Sequence, residues 1–229
     1  MAMTPPLQPG RPNHSPGDAR HRVLSGAVRR LSAIPLFALS LALLTGTALA
    51  HEPHTGDRSN HRTAASQVAV ELVDLPLVDH QGTTRRFRSE VIGDSIVAVT
   101  VVYTSCTTVC PVISAVFQRV QAQLEEELGE RVVLISISVD PARDTPRRLA
   151  DYRQRFAAQP GWVWLTGERG NVMRVLDGLG AYTPDPDDHP IMVVVGDGRS
   201  DQWRRDFGLQ APDDIVARIH TLLAQREAP

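Results

Sequence analysis

Two β-rich apolar runs, Ile96 to Tyr103 (IVAVTVVY) and Val132 to Val139 (VVLISISV), constrain this chain more than anything else in it. Nearly continuous β-branched runs of this length mark strands buried on both faces. Between them Val112, Val116, Val120, Leu124 and Leu128 recur every four residues among Gln, Arg and Glu, with Gly129 behind them. That is the pattern of an amphipathic helix with a glycine stop. Two buried strands joined by a helix make a right-handed parallel βαβ unit. With 229 residues and 42% hydrophobic composition, the chain has material for one good core.

The elements around this unit follow from local signals. Val68 to Val73 alternates, a turn stands at His80-Gln81-Gly82, and a return stretch lies near Arg86 to Arg88, which predicts a small hairpin. Thr145 caps and Pro146 opens a helix reaching about Phe156. Trp162 to Leu165 reads as a strand, and Asn171 to Leu179 as a helix ended by Gly180. Tyr182 to His189 is a Pro- and Asp-rich loop. Ile191 to Val195 and Gln202 to Phe207 pair across a turn at 196–198, and Asp213 to Leu223 closes with a helix. The order predicts an α/β thioredoxin-like fold: a central mixed sheet flanked by helices, with an added N-terminal β-hairpin.

Both cysteines stand in Thr104-Ser105-Cys106-Thr107-Thr108-Val109-Cys110-Pro111, where the first buried strand gives way to the helix. Four residues apart on a helix, they would face one way and converge on a soft metal or a redox partner. A bridge between them would close too small a loop to contribute much stability. This points to chemistry rather than a structural crosslink, and a helix N-terminus should lower the pKa of both thiols.

The first thirty residues end in Arg29-Arg30, and no charge follows until Glu52. Leu31 to Leu44 and Ala48-Leu49-Ala50 have the form of an export signal cleaved after Ala50; an inner-membrane anchor over 31–50 is the alternative. Residues 1–50 are thus read as the exported leader, 51–66 as a flexible linker containing His51, His54 and His61, and 67–229 as the folded domain, periplasmic or otherwise extracytoplasmic. The linker histidines are solvated side chains or a metal-scavenging tail. A net charge of −2 without a long basic run argues against a nucleic-acid surface.

CxxxCP at Cys106 to Pro111 after Tyr103-Thr104, SVDPxxDTP at Ser138 to Pro146, LTG at Leu165 to Gly167, and Asp188-His189 before the penultimate hairpin occur in one order. In these features the chain resembles the Sco/SenC proteins from about Val70 to Leu223. The resemblance implies a thioredoxin-like domain that binds copper through Cys106, Cys110 and His189. It further implies help in maturing the binuclear copper centre of cytochrome c oxidase. The partner would be the copper-bearing oxidase subunit or another periplasmic copper protein.

Two thiolates and an imidazole form a soft three-coordinate site suited to Cu(I), whereas structural zinc would want a fourth strong ligand. The rival function uses Cys106 and Cys110 as the catalytic dithiol of an extracytoplasmic thiol-disulfide oxidoreductase; a cysteine peroxidase is a third. Pro190 is expected to be the cis-proline that faces the dithiol in thioredoxin-like folds. Asp188 either orients the imidazole or serves the turn. Asp140 and Asp144 read as turn and cap residues, Met192 as packing rather than a thioether ligand, and Trp162, Trp164 and Trp203 as core or rim.

Overall fold

The computed structural model describes residues 69–228; the expected leader at 1–50, the expected linker at 51–66 and residues 67 and 68 lie outside them. Seven strands, β1 (Pro76–Asp79), β2 (Thr84–Arg86), β3 (Ile96–Val102), β4 (Val132–Ser138), β5 (Trp162–Thr166), β6 (Met192–Asp197) and β7 (Gln202–Phe207), form one sheet in the order β2-β1-β5-β4-β3-β6-β7. Its centre is the predicted βαβ unit. Strand β3 (Ile96–Val102) is buried at every position and pairs in parallel with β4 (Val132–Ser138), Ile96 opposite Val132 and Val102 opposite Ser138. Strand β5 (Trp162–Thr166) continues the parallel set beyond β4. Three polar side chains in these strands pair: the Thr100 hydroxyl donates to the Met192 carbonyl at 3.0 Å, and Trp162 Nε1–H donates to Ser136 Oγ at 3.0 Å, whereas Trp164 Nε1 and Thr166 Oγ1 have no partner among the described residues. A buried polar group without a partner carries a desolvation cost there.

On the other flank, β6 (Met192–Asp197) runs antiparallel to β3 and is followed by β7 (Gln202–Phe207), with Gly196 opposite Trp203. At the far edge, the hairpin of β1 (Pro76–Asp79) and β2 (Thr84–Arg86) joins the sheet through antiparallel pairing of β1 with β5. The hairpin therefore exists, but its first strand begins later than the alternating stretch at Val68 to Val73 suggested; Val68 itself lies outside the described residues. Val70 and Leu72 pack instead beside the core, and the Glu71 amide donates to the Gly178 carbonyl at 2.9 Å. A Cβ on Gly178 would run into the Glu71 backbone, so only glycine permits this approach.

Helices cover both faces. One face is packed by α1 (Val109–Leu124), α2 (Pro146–Gln154) and α4 (Pro212–Glu227), through Phe117, Leu149, Tyr152 and Ile219. The other is packed by α3 (Arg169–Leu179) and a wide helical turn at Phe87–Ile92. This is a thioredoxin-like fold with an N-terminal hairpin added at one edge. The Thr145 cap, with Thr145 Oγ1 accepting from the Arg148 amide, and the left-handed Gly180 stop stand where the sequence signals put them. Helix α1 departs from expectation at both ends: it opens at Val109 and ends at Leu124, five residues before Gly129. Its buried stripe is Cys110, Ile113, Phe117, Val120 and Leu124, while Val112 is 46% exposed. Among the described residues no helix is long and apolar enough to cross a membrane.

Candidate metal and thiol site

The site forms at the carboxyl ends of β3 and β4 and the start of β6. Strand β3 hands the chain to a short loop, Tyr103 to Thr108, before α1 begins. Cys110 lies in the first turn of α1, completely buried, whereas Cys106 sits in the loop ahead of the helix and retains 6% exposure. The expectation of two cysteines on one helical face is thus corrected. The loop folds back so that Cys106 Sγ accepts the Cys110 amide at 3.4 Å and lies 3.6 Å from Thr108 Oγ1. Cys106 takes the place of a capping oxygen, satisfying an amide that the helix start leaves without an internal partner. Both thiols are free.

Their environments pull the two thiols apart. Burial works to raise the Cys106 pKa, but the Cys110 amide and thiol and Thr108 overcome it and bring it down to about 6. For Cys110, burial dominates, reinforced by the Cys106 thiol and the Asp144 carboxylate, and pushes it up to about 12. The helix start therefore lowers one pKa and not both. A sulfur inside the first turn loses more from water exclusion than it gains from the helix dipole.

His189 comes to this pair from the other side. It follows a helical turn at Pro186–Asp188, is half-buried, and places Nε2 3.8 Å from Cys110 Sγ. Its Nδ1 lies 3.1 Å from the Pro190 carbonyl, which can only accept, so Nδ1 carries the proton and Nε2 the free lone pair. Burial lowers the His189 pKa, keeping the ring neutral. The Tyr103 ring meets it edge-on at 5.7 Å.

The Tyr103 hydroxyl in turn donates to Asp187 Oδ1 at 2.6 Å, tying the end of β3 to the turn that carries His189. Asp187, and not Asp188, is thus the carboxylate that positions this segment; Asp188 is exposed, and its amide only closes the turn onto the Asp185 carbonyl. The expected cis-proline is also corrected, because no peptide bond among the described residues is cis. His189 adopts the extended backbone that a following trans proline favours.

Asp144 does more than start a helix. It is 1% exposed and accepts from the Thr104 amide at 3.0 Å, the Thr104 hydroxyl at 2.5 Å and the Ser138 hydroxyl at 2.7 Å. This carboxylate fastens the cysteine loop to the end of β4. Asp140 pairs with Arg143 at 2.9 Å. Met192 faces the opposite side of the sheet from the thiols, in the core packed by α3, and Trp162, Trp164 and Trp203 are all buried. Among the described residues no three ligating side chains stand as a closed cluster. Cys110 and His189 touch, and Cys106 is turned toward the helix start.

A profile of the SCO1/SenC family matches residues 65–223. The mitochondrial SCO1 homolog of Homo sapiens is 28% identical over 207 residues, 84% of this chain and 65% of that protein. Across the curated relatives it matches first, the chain spans from 37% to 65% of their length. Among solved structures, copper-bound ScoI of Arabidopsis thaliana superposes with a TM-score of 0.56 at 21% identity, covering 66% of this chain and 96% of that one. BsSco, described as a Sco-family cytochrome c oxidase assembly protein with a disulfide switch, gives 0.58 at 21% identity, covering 68% and 94%.

Proposed function

This chain belongs to the SCO1/SenC family, and on that premise we propose that it is a copper metallochaperone carrying copper on Cys106, Cys110 and His189. The copper would go to a binuclear copper centre during cytochrome c oxidase assembly. The observation that carries this reading is the 3.8 Å approach of His189 Nε2 to Cys110 Sγ, with Cys106 Sγ 3.4 Å from the Cys110 amide. The Cys110 sulfur and a neutral imidazole nitrogen meet at one end of the sheet, with the Cys106 sulfur beside them at the helix start, and together they would make a donor set that suits Cu(I). Copper-bound ScoI of Arabidopsis thaliana shares the fold, and BsSco is described as an assembly protein of cytochrome c oxidase.

The chain's own residues do three things in this scheme. The Pro190 carbonyl holds the His189 tautomer, leaving Nε2 to bind. Capping holds Cys106 as the readily ionised thiol. Cys110, buried and reluctant to ionise, would release its proton to solvent only as a metal or another strong electrophile takes up its sulfur. The domain would work outside the cytoplasm, released by cleavage after Ala50 or tethered through 31–50, and its partner would be a copper-bearing oxidase subunit or another exported copper protein.

The split between the thiols also supports a second reading, a thiol-disulfide oxidoreductase. Cys106 would attack a partner disulfide as the thiolate, and Cys110 would resolve the mixed disulfide. Anaerobic Cu(I) titration separates the two. One-to-one binding lost in Cys106→Ser and Cys110→Ser and weakened in His189→Ala is expected; binding indifferent to all three substitutions would overturn the metal reading.

A further inference from the structure

In front of the thiols opens a cavity of about 600 Å³. One wall is the Cys106 loop with Tyr103, a second is the turn carrying Asp140 and Arg143, and a third is the segment Asp185 to Asp187 that leads to His189. Cys106, 6% exposed, lines this cavity, and its thiol is free. Cys110 and His189 are not part of the lining, so a partner entering here meets the Cys106 sulfur before either of them.

The charges on the walls do not balance. Arg143 is the one cation in the lining, and its Nη1 is committed to Asp140 at 2.9 Å. Asp185 and Asp187 are exposed, and neither pairs with a cationic side chain among the described residues. Asp185 Oδ1 accepts the Asp187 amide at 3.0 Å and Asp187 Oδ1 accepts the Tyr103 hydroxyl at 2.6 Å, which fixes both carboxylates and leaves a second oxygen of each for a ligand. Arg147 and Arg148 of α2 lie outside the lining. Acids on a loop would by themselves be a solvated face. Here they stand across a walled cavity from a reactive sulfur, and walls of low dielectric focus their field on whatever approaches it.

We propose that this cavity selects a cationic partner segment, one with lysine or arginine beside the group that meets Cys106, and that Asp185 and Asp187 set the preference. The inference rests on Cys106 being the sulfur that meets the partner, which the copper and the disulfide readings share. A segment carrying acidic residues is turned away by the same carboxylates, because the only guanidinium within reach is already paired.

The test is a rate comparison on the metal-free full-length chain. Two bromoacetyl tripeptide amides, identical except that one carries two lysines and the other two glutamates, alkylate Cys106, whose sulfur displaces bromide; rates are read at the Cys106 peptide by mass spectrometry and divided by those on 2-mercaptoethanol. At low salt the lysine reagent is expected to outpace the glutamate reagent by at least ~10-fold. At ~1 M salt, where the Debye length is about 3 Å, the ratio should fall to about 2 or less. Asp185→Asn, which keeps the oxygen that accepts the Asp187 amide, should lower the low-salt ratio by ~3-fold, and Arg143→Gln should raise it. Equal rates, a faster glutamate reagent, or a ratio indifferent to salt and to Asp185→Asn would overturn the proposal; should a variant fold poorly, the salt series on the parent decides. Cu(I) titration reports the donor set and is blind to the charge of an incoming segment, so either reading can fail alone.

Discussion

The sulfur of Cys110 lies 3.8 Å from Nε2 of His189, although 79 positions separate the two in the chain. Antiparallel pairing of β3 with β6, with Thr100 opposite Val193, brings the loop after one strand beside the segment before the other. The Tyr103–Asp187 hydrogen bond then holds the two connections together.

The thiols should ionise far apart. In the metal-free protein, Cys106 is thiolate above a pH of about 6, while Cys110 remains protonated until about 12. Alkylation across a pH series, read peptide by peptide in a mass spectrometer, is expected to label Cys106 first at every pH up to 9. Preferential labelling of Cys110 at neutral pH would contradict the capping role of Cys106.

Replacing Asp144 should loosen the cysteine loop. Asp144→Ala strands the Thr104 amide and the Thr104 and Ser138 hydroxyls, all of which now donate to the carboxylate. A loss of about 3 kcal/mol in urea unfolding is expected, because buried donors left without acceptors bear the full desolvation penalty. A midpoint equal to that of the parent would show that the loop is held by something else.

Tyr103→Phe keeps the ring that meets His189 but removes the hydroxyl bonded to Asp187. Stability should change by about 1 kcal/mol or less. Competitive chelator titration should nonetheless show Cu(I) affinity falling by about 10-fold, the usual scale for groups that orient a ligand. Unaltered affinity would mean that His189 is positioned by Pro190 alone.

Acid should unfasten α4 from the sheet through Asp197. Burial would raise its pKa, but the Arg226 guanidinium and the Arg199 amide prevail and hold it at about 2, against 3.8 for a free carboxylate. A lowered folded-state pKa means stability that is present above the unfolded value and lost as pH falls from about 3.8 through about 2. The parent should lose about 2 kcal/mol more than Asp197→Asn over that interval, measured by denaturant unfolding at successive pH values. Parallel curves would rule the contribution out.

Much of the fold was legible because its signals are local. The two buried β-branched runs, the Thr145 cap and the Gly180 stop each depend on a few neighbouring residues. The first strand of the edge hairpin was misplaced because alternation at Val70 and Leu72 reports half-burial, which packing on α3 satisfies as well as strand pairing does. Asp187 went unread, since nothing in an Asp-rich loop tells which carboxylate will meet a tyrosine from β3. A tyrosine closing a buried strand was the available signal, because its hydroxyl must find a partner.

The sequence by itself determined the layered α/β core, the dithiol at the end of its first buried strand, and the family likeness that singled out His189. Those follow from periodicity, turn chemistry and residue type, which are properties of short stretches of chain. Only the tertiary structure decided that Cys106 caps the helix rather than riding on it, that the two thiols differ in acidity, that Pro190 is trans, and that Asp144 and Asp187 secure the loops around them. Each depends on how much water a group loses and on which distant donor or acceptor replaces that water, and both are set by packing between segments far apart in the chain.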